Sequence, residues 1–307
     1  MKIGFGLPNF GRYGTREIVL ALSREAETLG YDSLWVGERL LFPTTPKTLQ
    51  GGRPWPDAYR QSLSTLETLV FAAAVTEKVR LGTSTLDLPF HNPVHLAKEI
   101  ATLDVLSNGR AIIGAGQGWS EDEYDASGVP FSQRTGRLVE IIKMLNALWG
   151  PDPVEFHGKY YNLDSASFNP KPIQKPRPPL LLASFAPASI ARAARLTDGF
   201  NPIGRPSAPD NEQSLKVLLQ AWHDAGREPA KPQIVMRVNH TMISHEPLGD
   251  DRKSLTGSVE QVRHDVKQLE AWGATEIFFT IPTPMDLSEA DALKLLLDQL
   301  NRLRGVV

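Results

Sequence analysis

The sequence has 307 residues, of which 41% are apolar and 22% are charged, a composition that allows a substantial core. Its 33 basic and 35 acidic residues leave a net charge of −2, so no global field favours binding to nucleic acid or to an anionic membrane. The absence of cysteine excludes disulfides, thiolate metal sites and a cysteine nucleophile. The amino terminus lacks the apolar core of a signal peptide and no run of about 18 apolar residues occurs, so we expect a cytoplasmic protein.

Short apolar runs alternate along the chain with longer segments of helical periodicity. The first of them predict, in order, a strand at 2–7, a helix at 15–29, a strand at 32–37, a helix at 63–78 and a strand at 79–85. In the helix at 15–29 the apolar residues recur at helical spacing, whereas in the strand at 2–7 they alternate. The chain therefore begins as a series of β-α units.

The third predicted helix has the clearest boundaries. Asn92 is expected to cap its amino terminus, and Pro93 occupies the first helical position, where a missing N–H is tolerated. Asn108-Gly109 is the predicted stop. A strand at 110–116 and a helix at 133–149 follow.

The periodicity breaks between Pro151 and Pro179, where residues 156–163 predict a small hairpin and a proline-rich stretch crosses the surface. It then resumes with a strand at 180–183, a helix at 188–196, a strand at 198–202, a helix at 212–225, a strand at 233–243, a helix from the capping box of Ser258 and Gln261 to Gly273, a strand at 276–281 and a helix at 288–303. Eight strands, each followed by a helix, predict an α/β fold, a (β/α)₈ TIM barrel with loop insertions, as one domain over 1–307. A doubly wound sheet is the alternative, but it would not usually need eight repeats.

In a TIM barrel the active site is built from the loops that follow the carboxyl ends of the strands. The longest such loop here, 38–61, contains Trp55 and Tyr59 and is predicted to be a lid or a binding loop. The alternative is a disordered surface excursion. This loop is therefore the first place to look for substrate contacts.

The glycine-rich segment after the fourth strand contains Gly114, Gly116 and Gly118. A dinucleotide-binding fingerprint would place its third glycine at Trp119, and the residues that follow do not begin an apolar crossover helix. We expect instead that these glycines let a planar ring approach the backbone. A simple tight turn is the alternative.

Two further features concern metals and anions. His91 and His95 are four residues apart, but Asn92-Pro93 places His91 before the helix begins, so no metal site is predicted. Residues 184–189 connect a strand end to a helix amino terminus, where free N–H groups attract phosphate, and Ser184 and Ser189 add hydroxyls. Ordinary helix capping is the alternative for this segment.

Several segments together carry a family resemblance. KIGFGLPNF, LGYDSLWVGE and VRLGTSTLDLPFHNPVHLAKEIATLDVLSNGRAIIGAGQGW, followed by FHGKYYN, NPKPIQKPRPPLLLAS and AARLTDGF, resemble the luciferase-like monooxygenase superfamily of flavin- and deazaflavin-dependent oxidoreductases. The resemblance runs over nearly the whole chain in the same order. Within the superfamily, the chain looks most like oxidoreductases that use the deazaflavin coenzyme F420, with FMN-dependent monooxygenases as the close alternative.

The resemblance implies where a cofactor binds. The tricyclic ring would lie across the barrel mouth against a bulge after the third strand, often with a non-prolyl cis peptide, here at Ser84-Thr85. The implied cofactor-binding residues are Ser84, Thr85, Gln117, Gly118, Trp119, Ala183, Ser184, Phe185, Ala186, Pro187 and Ser189. Many deazaflavin-dependent relatives have Gly-Pro where this chain has Ala186-Pro187.

Two departures from the family pattern affect the chemistry. Many deazaflavin-dependent relatives have Asp-His after the second strand, where this chain has Glu38-Arg39, and sugar-oxidising relatives place a glutamate where this chain has Trp119. These departures argue against sugar-phosphate oxidation by the family's acid–base pair. Glu38 is expected to position or titrate and Arg39 to hold an anionic group, the alternative being a surface ion pair. His91 is the candidate general acid, and Trp119 is a predicted apolar wall together with Trp55 and Phe90.

The function implied by the resemblance is hydride transfer between coenzyme F420 and a small organic substrate, in which the cofactor supplies the reactivity and the protein supplies orientation. The first alternative is an FMN-dependent monooxygenase that activates molecular oxygen. The second is a non-catalytic ligand-binding barrel. The relatives are commonly dimers, so we expect a homodimer that binds a small molecule and neither nucleic acid nor a membrane.

Overall fold

Eight parallel strands close into a barrel in the computed structural model, which describes residues 1–306. The strands of this described part are β1 Lys2–Gly6, β2 Ser33–Val36, β3 Arg80–Thr83, β4 Leu86–Asp87, β5 Ala111–Gly116, β6 Val154–His157, β7 Asn162–Ala166, β8 Leu180–Leu182, β9 Gly199–Phe200, β10 Gln233–Val238 and β11 Glu276–Phe279. Around the barrel the parallel pairing runs β1, β2, β3, β5, β8, β9, β10, β11 and back to β1. The predicted (β/α)₈ barrel is confirmed. The hairpin of β6 and β7 lies outside it and is antiparallel.

Helices surround the barrel and cover its apolar outer surface. Those of the described chain are α1 Arg16–Thr28, α2 Thr65–Ala73, α3 Pro93–Leu106, α4 Glu121–Ala126, α5 Arg134–Leu148, α6 Pro187–Leu196, α7 Ala208–Asp224, α8 Val259–Ala271 and α9 Glu289–Arg304. Side chains that set helix boundaries act as the sequence predicts, with Asn92 capping α3 and a capping box of Ser258 and Gln261 opening α8. Within residues 1–306, no helix is both long enough and apolar enough to cross a bilayer.

Two predicted elements end earlier in the structure than the sequence pattern indicates. Helix α2 stops at Ala73 and not at residue 78, because the Glu27 carboxylate accepts the backbone N–H groups of Glu77, Lys78 and Val79 and holds them in a turn. Strand β10 stops at Val238 and not at residue 243. The chain leaves the barrel there.

Other differences add structure or move it along the chain. Helix α7 begins at Ala208, four residues before the predicted start, and the strand predicted at 198–202 is reduced to β9. The hairpin predicted at 156–163 is longer at both ends. The short helix α4 was not predicted, because its sequence is acidic and lacks an apolar stripe; Ser120 caps it through the backbone N–H of Glu123.

The barrel interior is filled by a small layer of large side chains that forms the floor of the mouth. Trp35 of β2 stacks on Phe278 of β11 with ring centroids 4.8 Å apart, and Ile112, Leu181 and Val235 complete the layer. A Cβ atom built on Gly82 would lie 2.3 Å from the Trp35 ring, so only glycine fits beside it. The centre of the barrel is thus packed by these five side chains.

The third barrel strand is interrupted where the cofactor site was predicted. Between β3 and β4 lie Ser84 and Thr85, and their peptide bond is cis, as the family resemblance implies. After this break β4 continues beside β5, so that Asp87 pairs with Gly116. The interruption therefore turns a short segment of backbone toward the mouth of the barrel and places a carboxylate immediately behind it.

Candidate active site

A cavity of about 540 Å³, called here the mouth cavity, opens at the carboxyl ends of β3, β5 and β8. Almost all of the predicted site residues line it: Glu38, Arg39, Ser84, Thr85, Gln117, Gly118, Trp119, Ala183, Ser184, Phe185, Ala186 and Ser189. Pro187 begins α6 and is exposed, while His91 contacts Glu38 from behind the wall. Residues predicted from four separate loops thus meet in one place.

Packing within the barrel explains Gly114 and Gly116, two of the three glycines of the glycine-rich segment, which both lie within β5. A Cβ atom on Gly114 would lie 2.1 Å from the Thr83 carbonyl oxygen, and one on Gly116 would lie 2.1 Å from Oδ1 of Asp87. Gly118 differs because its φ is +73°, in the left-handed region that favours glycine, and because it faces the Phe90 ring. Close contacts between neighbouring strands therefore require Gly114 and Gly116, whether or not a ring lies against them.

Arg39 lies in the middle of the cavity wall, surrounded by carboxylates and aromatic rings. Its Nη1 donates to Glu123 at 2.7 Å and its Nη2 donates to Asp87 at 3.3 Å, while Nε donates to the backbone oxygen of Glu38. The guanidinium carbon is 5.0 Å from the Trp119 ring centroid and 5.7 Å from that of Trp55. The side chains of Arg39 and Glu38 are each only 7% exposed, so the alternative of a surface ion pair is wrong.

Asp87 and Glu123 were missed in the sequence, although both are buried at this site. Burial raises the pKa of Asp87 to about 7, with Arg39 acting in the opposite direction. Burial likewise raises the pKa of Glu123, again against the effect of Arg39. The one available signal was an aspartate inside the apolar run LDLPF, directly after a strand. Near neutral pH, Asp87 can therefore take up or release a proton inside the mouth cavity.

His91 and Glu38 form a second titratable unit beside this cluster. Nε2 of His91 is 2.8 Å from Oε1 of Glu38, whose other oxygen accepts the backbone N–H of Asp87 at 2.6 Å. Burial lowers the pKa of His91, but the hydrogen bond and charge of Glu38 outweigh it, so that the pKa is raised above 6.5. The imidazole is 23% exposed. It can therefore exchange protons with solvent while Glu38 faces the cavity.

We expect the substitution Glu38→Gln to lower the pKa of His91, because the neutral amide removes the charge that outweighs burial. NMR titration of the His91 ring protons between pH 5 and 9 measures this. Glu99→Gln is the matched control, since Glu99 acts on His91 only through its charge and should produce a smaller shift. A raised His91 pKa that persists in Glu38→Gln would contradict the assignment of Glu38 as its partner.

Two further residues that the sequence did not indicate hold the cis peptide in place. Arg237 of β10 donates from Nη1 to the Ser84 carbonyl oxygen at 2.5 Å and from Nε to Asn239. Ser84 Oγ donates to Asn201 at 2.7 Å, and Asn201 donates in turn to the backbone of Val235. Because Arg237 lies in β10 and Asn201 directly follows β9, both far along the chain, the closed barrel is what brings them to Ser84.

The predicted anion site connects the end of β8 to the amino terminus of α6. In the described chain, the backbone N–H groups of Ser184, Phe185, Ala186 and Ala188 donate to no protein acceptor. Ala186 is the N-cap residue and offers no side chain to cap the helix. Arg192 also lines the cavity and has no acidic partner among residues 1–306. The hydroxyls of Ser184 and Ser189 bind backbone oxygens at present.

The long loop 38–61 is folded over the site, so its interpretation as a disordered excursion is wrong. Trp55 is 5% exposed, donates from Nε1 to the Thr48 carbonyl oxygen at 2.7 Å and packs on Trp119. Tyr59 lines the mouth cavity. Trp55 and Phe90, predicted as walls, lie behind the lining: Phe90 packs edge-on against Tyr124. Of the three aromatic walls predicted, only Trp119 faces the cavity.

At the amino terminus of α6, free N–H groups can donate to a group of the size of phosphate. Elsewhere in the cavity, backbone atoms and Trp119 can pack against a flat ring. Carboxylates with raised pKa values stand beside it. Among the described residues, no three or more His, Asp or Glu side chains are grouped as in a metal site. The chemistry that these residues support is therefore proton transfer and electrostatic positioning next to a bound organic molecule.

Solved structures with the same fold have varied chemistry. The monooxygenase RslO1 from Streptomyces bottropensis superposes with a TM-score of 0.78 at 22% identity, over 99% of this chain and 98% of that one. An F420-dependent secondary alcohol dehydrogenase gives 0.76 at 18% identity, over 98% of each chain. A type II Baeyer–Villiger monooxygenase of Pseudomonas putida in complex with FMN gives 0.73 at 15%, over 99% and 98%. At these identities the likeness establishes the fold alone.

Sequence comparison is more specific. An uncharacterized protein of Mycobacterium tuberculosis is 34% identical over 220 residues, which cover 70% of this chain and 77% of that protein. The F420-dependent glucose-6-phosphate dehydrogenase of Amycolatopsis mediterranei is 35% identical over 205 residues, covering 65% of this chain and 56% of the dehydrogenase. The family model for luciferase-like monooxygenases matches residues 9–247, more than half of the chain. This chain has an F420-dependent dehydrogenase among its sequence relatives. The chain therefore belongs to the luciferase-like monooxygenase family.

Proposed function

We propose that this protein is an F420-dependent oxidoreductase that transfers hydride between the deazaflavin and a small organic substrate in the barrel mouth. The observation that carries the proposal is one cavity that joins the Ser84-Thr85 bulge to the free N–H groups before α6. A curated relative at 35% identity is named as F420-dependent, which favours the deazaflavin over FMN.

The residues present fit the two ends of such a cofactor. The free N–H groups of Ser184, Phe185, Ala186 and Ala188 would bind a phosphate, helped by the positive end of the helix dipole and by Arg192. The backbone at Ser84 to Thr85 and at Gln117 to Gly118, together with Trp119, would hold the ring. A bound deazaflavin supplies the hydride acceptor or donor, and the chain supplies its position.

The chain's own contribution to the reaction is management of protons and charge. Asp87, with its pKa near 7, can hold or release a proton at its carboxyl oxygen within the cavity. Glu38 connects the cavity to the partly exposed His91 ring, so the His91–Glu38 pair can take up a proton from solvent. Arg39 donates to Asp87 and Glu123 and holds both carboxylates in place, with its guanidinium packed beside the rings of Trp119 and Trp55.

The substrate proposed here is not glucose 6-phosphate, the substrate in the name of the Amycolatopsis relative. Where sugar-oxidising members of the family place a glutamate, Trp119 packs on Trp55 at 4.8 Å between ring centroids. Where many deazaflavin-dependent members place Asp-His, Glu38-Arg39 is tied into a buried network. A sugar hydroxyl would find neither the acid nor the base of that reaction.

Titration of the purified protein with coenzyme F420 and, separately, with FMN tests the proposal, with quenching of cofactor fluorescence as the measurement. We expect saturable quenching of F420 and an affinity for FMN that is at least tenfold weaker. Tighter binding of FMN would support an oxygen-activating monooxygenase instead, and binding of neither would support a non-catalytic barrel. The homodimer expected from the family can be measured on the same samples by sedimentation.

A further inference from the structure

A second cavity, called here the side cavity, has a volume of about 600 Å³ and lies over the ends of β1, β2 and β11. The two cavities lie side by side and share five lining residues, called here the shared wall: Phe10, Tyr59, Ser84, Arg237 and Asn239. The side cavity has no predicted cofactor residue in its lining except Ser84. A molecule in it would therefore lie next to a cofactor bound in the mouth cavity.

Outside that shared wall, the lining of the side cavity is mostly apolar. Leu7, Tyr13, Phe278, Ile281 and Met285 face it, and no Asp, Glu, Lys or His of the described chain is among the lining residues. The apolar character is of the kind that small-molecule sites present to hydrocarbon parts of a ligand. A charged or polyhydroxylated molecule would lose its hydration here without replacement.

Most polar groups at the side cavity already have partners in the protein. The Tyr13 hydroxyl donates to the Pro284 carbonyl oxygen at 2.6 Å, and Asn9 binds the backbone of Gly37. Thr283 likewise donates to a backbone oxygen, and the Thr280 hydroxyl donates to Asn239 Oδ1 at 2.9 Å. These groups already form hydrogen bonds that hold the loops in place, so they have little hydrogen-bonding capacity left for a ligand.

Two side chains of the shared wall have N–H groups that bind no acceptor among residues 1–306. Arg237 uses Nε and Nη1 for Asn239 and Ser84, so that Nη2 has no protein acceptor within residues 1–306. Asn239 accepts with Oδ1 from Arg237 and Thr280, which leaves its Nδ2 hydrogens unused by the described chain. Arg237 also forms no salt bridge with a carboxylate there. The wall thus offers two N–H donors and a positive charge to an oxygen acceptor.

We infer that the side cavity binds a predominantly apolar molecule carrying one acceptor oxygen, a ketone or the alcohol related to it, with that oxygen at Arg237 and Asn239. The inference deepens the proposed function by assigning its substrate class and rests on it for the redox step alone. Binding itself requires only the side cavity. A phosphorylated sugar fits this cavity poorly, because the lining has one cationic side chain and no carboxylate.

The test measures binding of 4-tert-butylcyclohexanone to the full-length protein by saturation-transfer NMR, with and without F420. The comparison ligands are the analogue in which a methylene group replaces the carbonyl oxygen, and glucose 6-phosphate. We expect the ketone to bind at least tenfold more tightly than the methylene analogue and glucose 6-phosphate not to bind. Equal affinity for ketone and analogue, or displacement of the ketone by glucose 6-phosphate, would overturn the inference.

Ala58→Trp and Arg237→Met locate the bound ketone. Ala58 lines only the side cavity, so its enlargement should weaken ketone binding more than tenfold and leave F420 quenching unchanged. Asp57→Trp on the same short helix, at a position 80% exposed, is the control and should bind as the wild type does. Arg237→Met should reduce the ketone's affinity to that of its analogue. Ketone binding that survives Ala58→Trp overturns the inference. If the wild-type protein binds the ketone but does not quench F420 fluorescence, only the proposed cofactor is overturned.

Discussion

Replacement of Arg39 by methionine should lower the free energy of unfolding by about 3–5 kcal/mol at pH 8, because it leaves buried carboxylates without their cation. Asp87 and Glu123 are almost fully buried, and Arg39 is the group that forms salt bridges with both. Methionine keeps much of the volume against Trp119 and Trp55, so the loss measures charge more than packing. Urea unfolding followed by circular dichroism gives the value.

The loss should depend on pH in a direction fixed by the pKa shifts. The pKa values of Asp87 and Glu123 are raised in the folded protein above 3.8 and 4.5. Folded molecules therefore bind more protons than unfolded ones between about pH 4 and 7, and stability falls as the pH rises through that interval. Removing Arg39 raises both pKa values further. The difference between Arg39→Met and the wild type should thus be smaller at pH 5 than at pH 8.

Two variants serve as controls for Arg39→Met. In the double variant Arg39→Met, Glu123→Gln, one orphaned carboxylate is gone, so part of the stability should return, by roughly 1–3 kcal/mol. Arg16→Met removes a cation of an exposed pair, Arg16 with Glu17 at 3.6 Å, and should change stability little. A loss in Arg39→Met that is below about 1 kcal/mol and independent of pH would show that the network does not stabilise the fold.

The barrel could be predicted from the sequence because its signals are local. The apolar periodicity, the Asn92 cap of α3 and the capping box of α8 each depend on neighbouring residues, and each is present in the structure. The error at the end of α2 arises instead from a contact between residues that are distant in sequence. Helix α2 ends early because of Glu27, which is 50 residues away along the chain. A contact of that kind leaves no trace in the local pattern.

The same distinction between local signals and distant contacts separates the site residues that could be predicted from those that could not. Ser84-Thr85, Gln117 to Trp119 and the segment before α6 follow strand ends and carry family motifs, so their common location at the mouth could be predicted. The charge network could not. Arg39 meets Glu123 across 84 positions of sequence, and Arg237 reaches Ser84 across 153. The alternative that Glu38 and Arg39 form an exposed pair is wrong, because their burial by the 38–61 loop and by Trp119 is a property of the closed barrel.

The substitution Ala186→Asp should weaken F420 binding at least tenfold while stabilising the protein, because the same carboxylate has opposite effects on the helix and on the ligand. Ala186 is the N-cap of α6, with φ −86° and ψ 146°, and no side chain caps that helix. Aspartate is a preferred N-cap residue, and a negative charge at this end interacts favourably with the helix dipole, so a gain of about 0.5–2 kcal/mol is expected. A phosphate that uses the same N–H groups would be displaced and repelled. Thermal unfolding and fluorescence titration on one preparation measure both effects.

Ala186→Ser separates charge from capping, since serine caps the helix without adding a charge. We expect it to stabilise the protein in the same way and to bind F420 within about threefold of the wild type, the energy of such a change being below the 1.4 kcal/mol of a tenfold effect. Added salt should reduce the difference in F420 affinity between Ala186→Asp and Ala186→Ser, because at 1 M ionic strength exposed charges are screened beyond about 3 Å. If Ala186→Asp gained stability and still bound F420 as the wild type does, the phosphate would have to lie away from α6. The tricyclic ring would then lose the anchor that orients it against Ser84 and Thr85, and with it the argument that this cavity holds the cofactor.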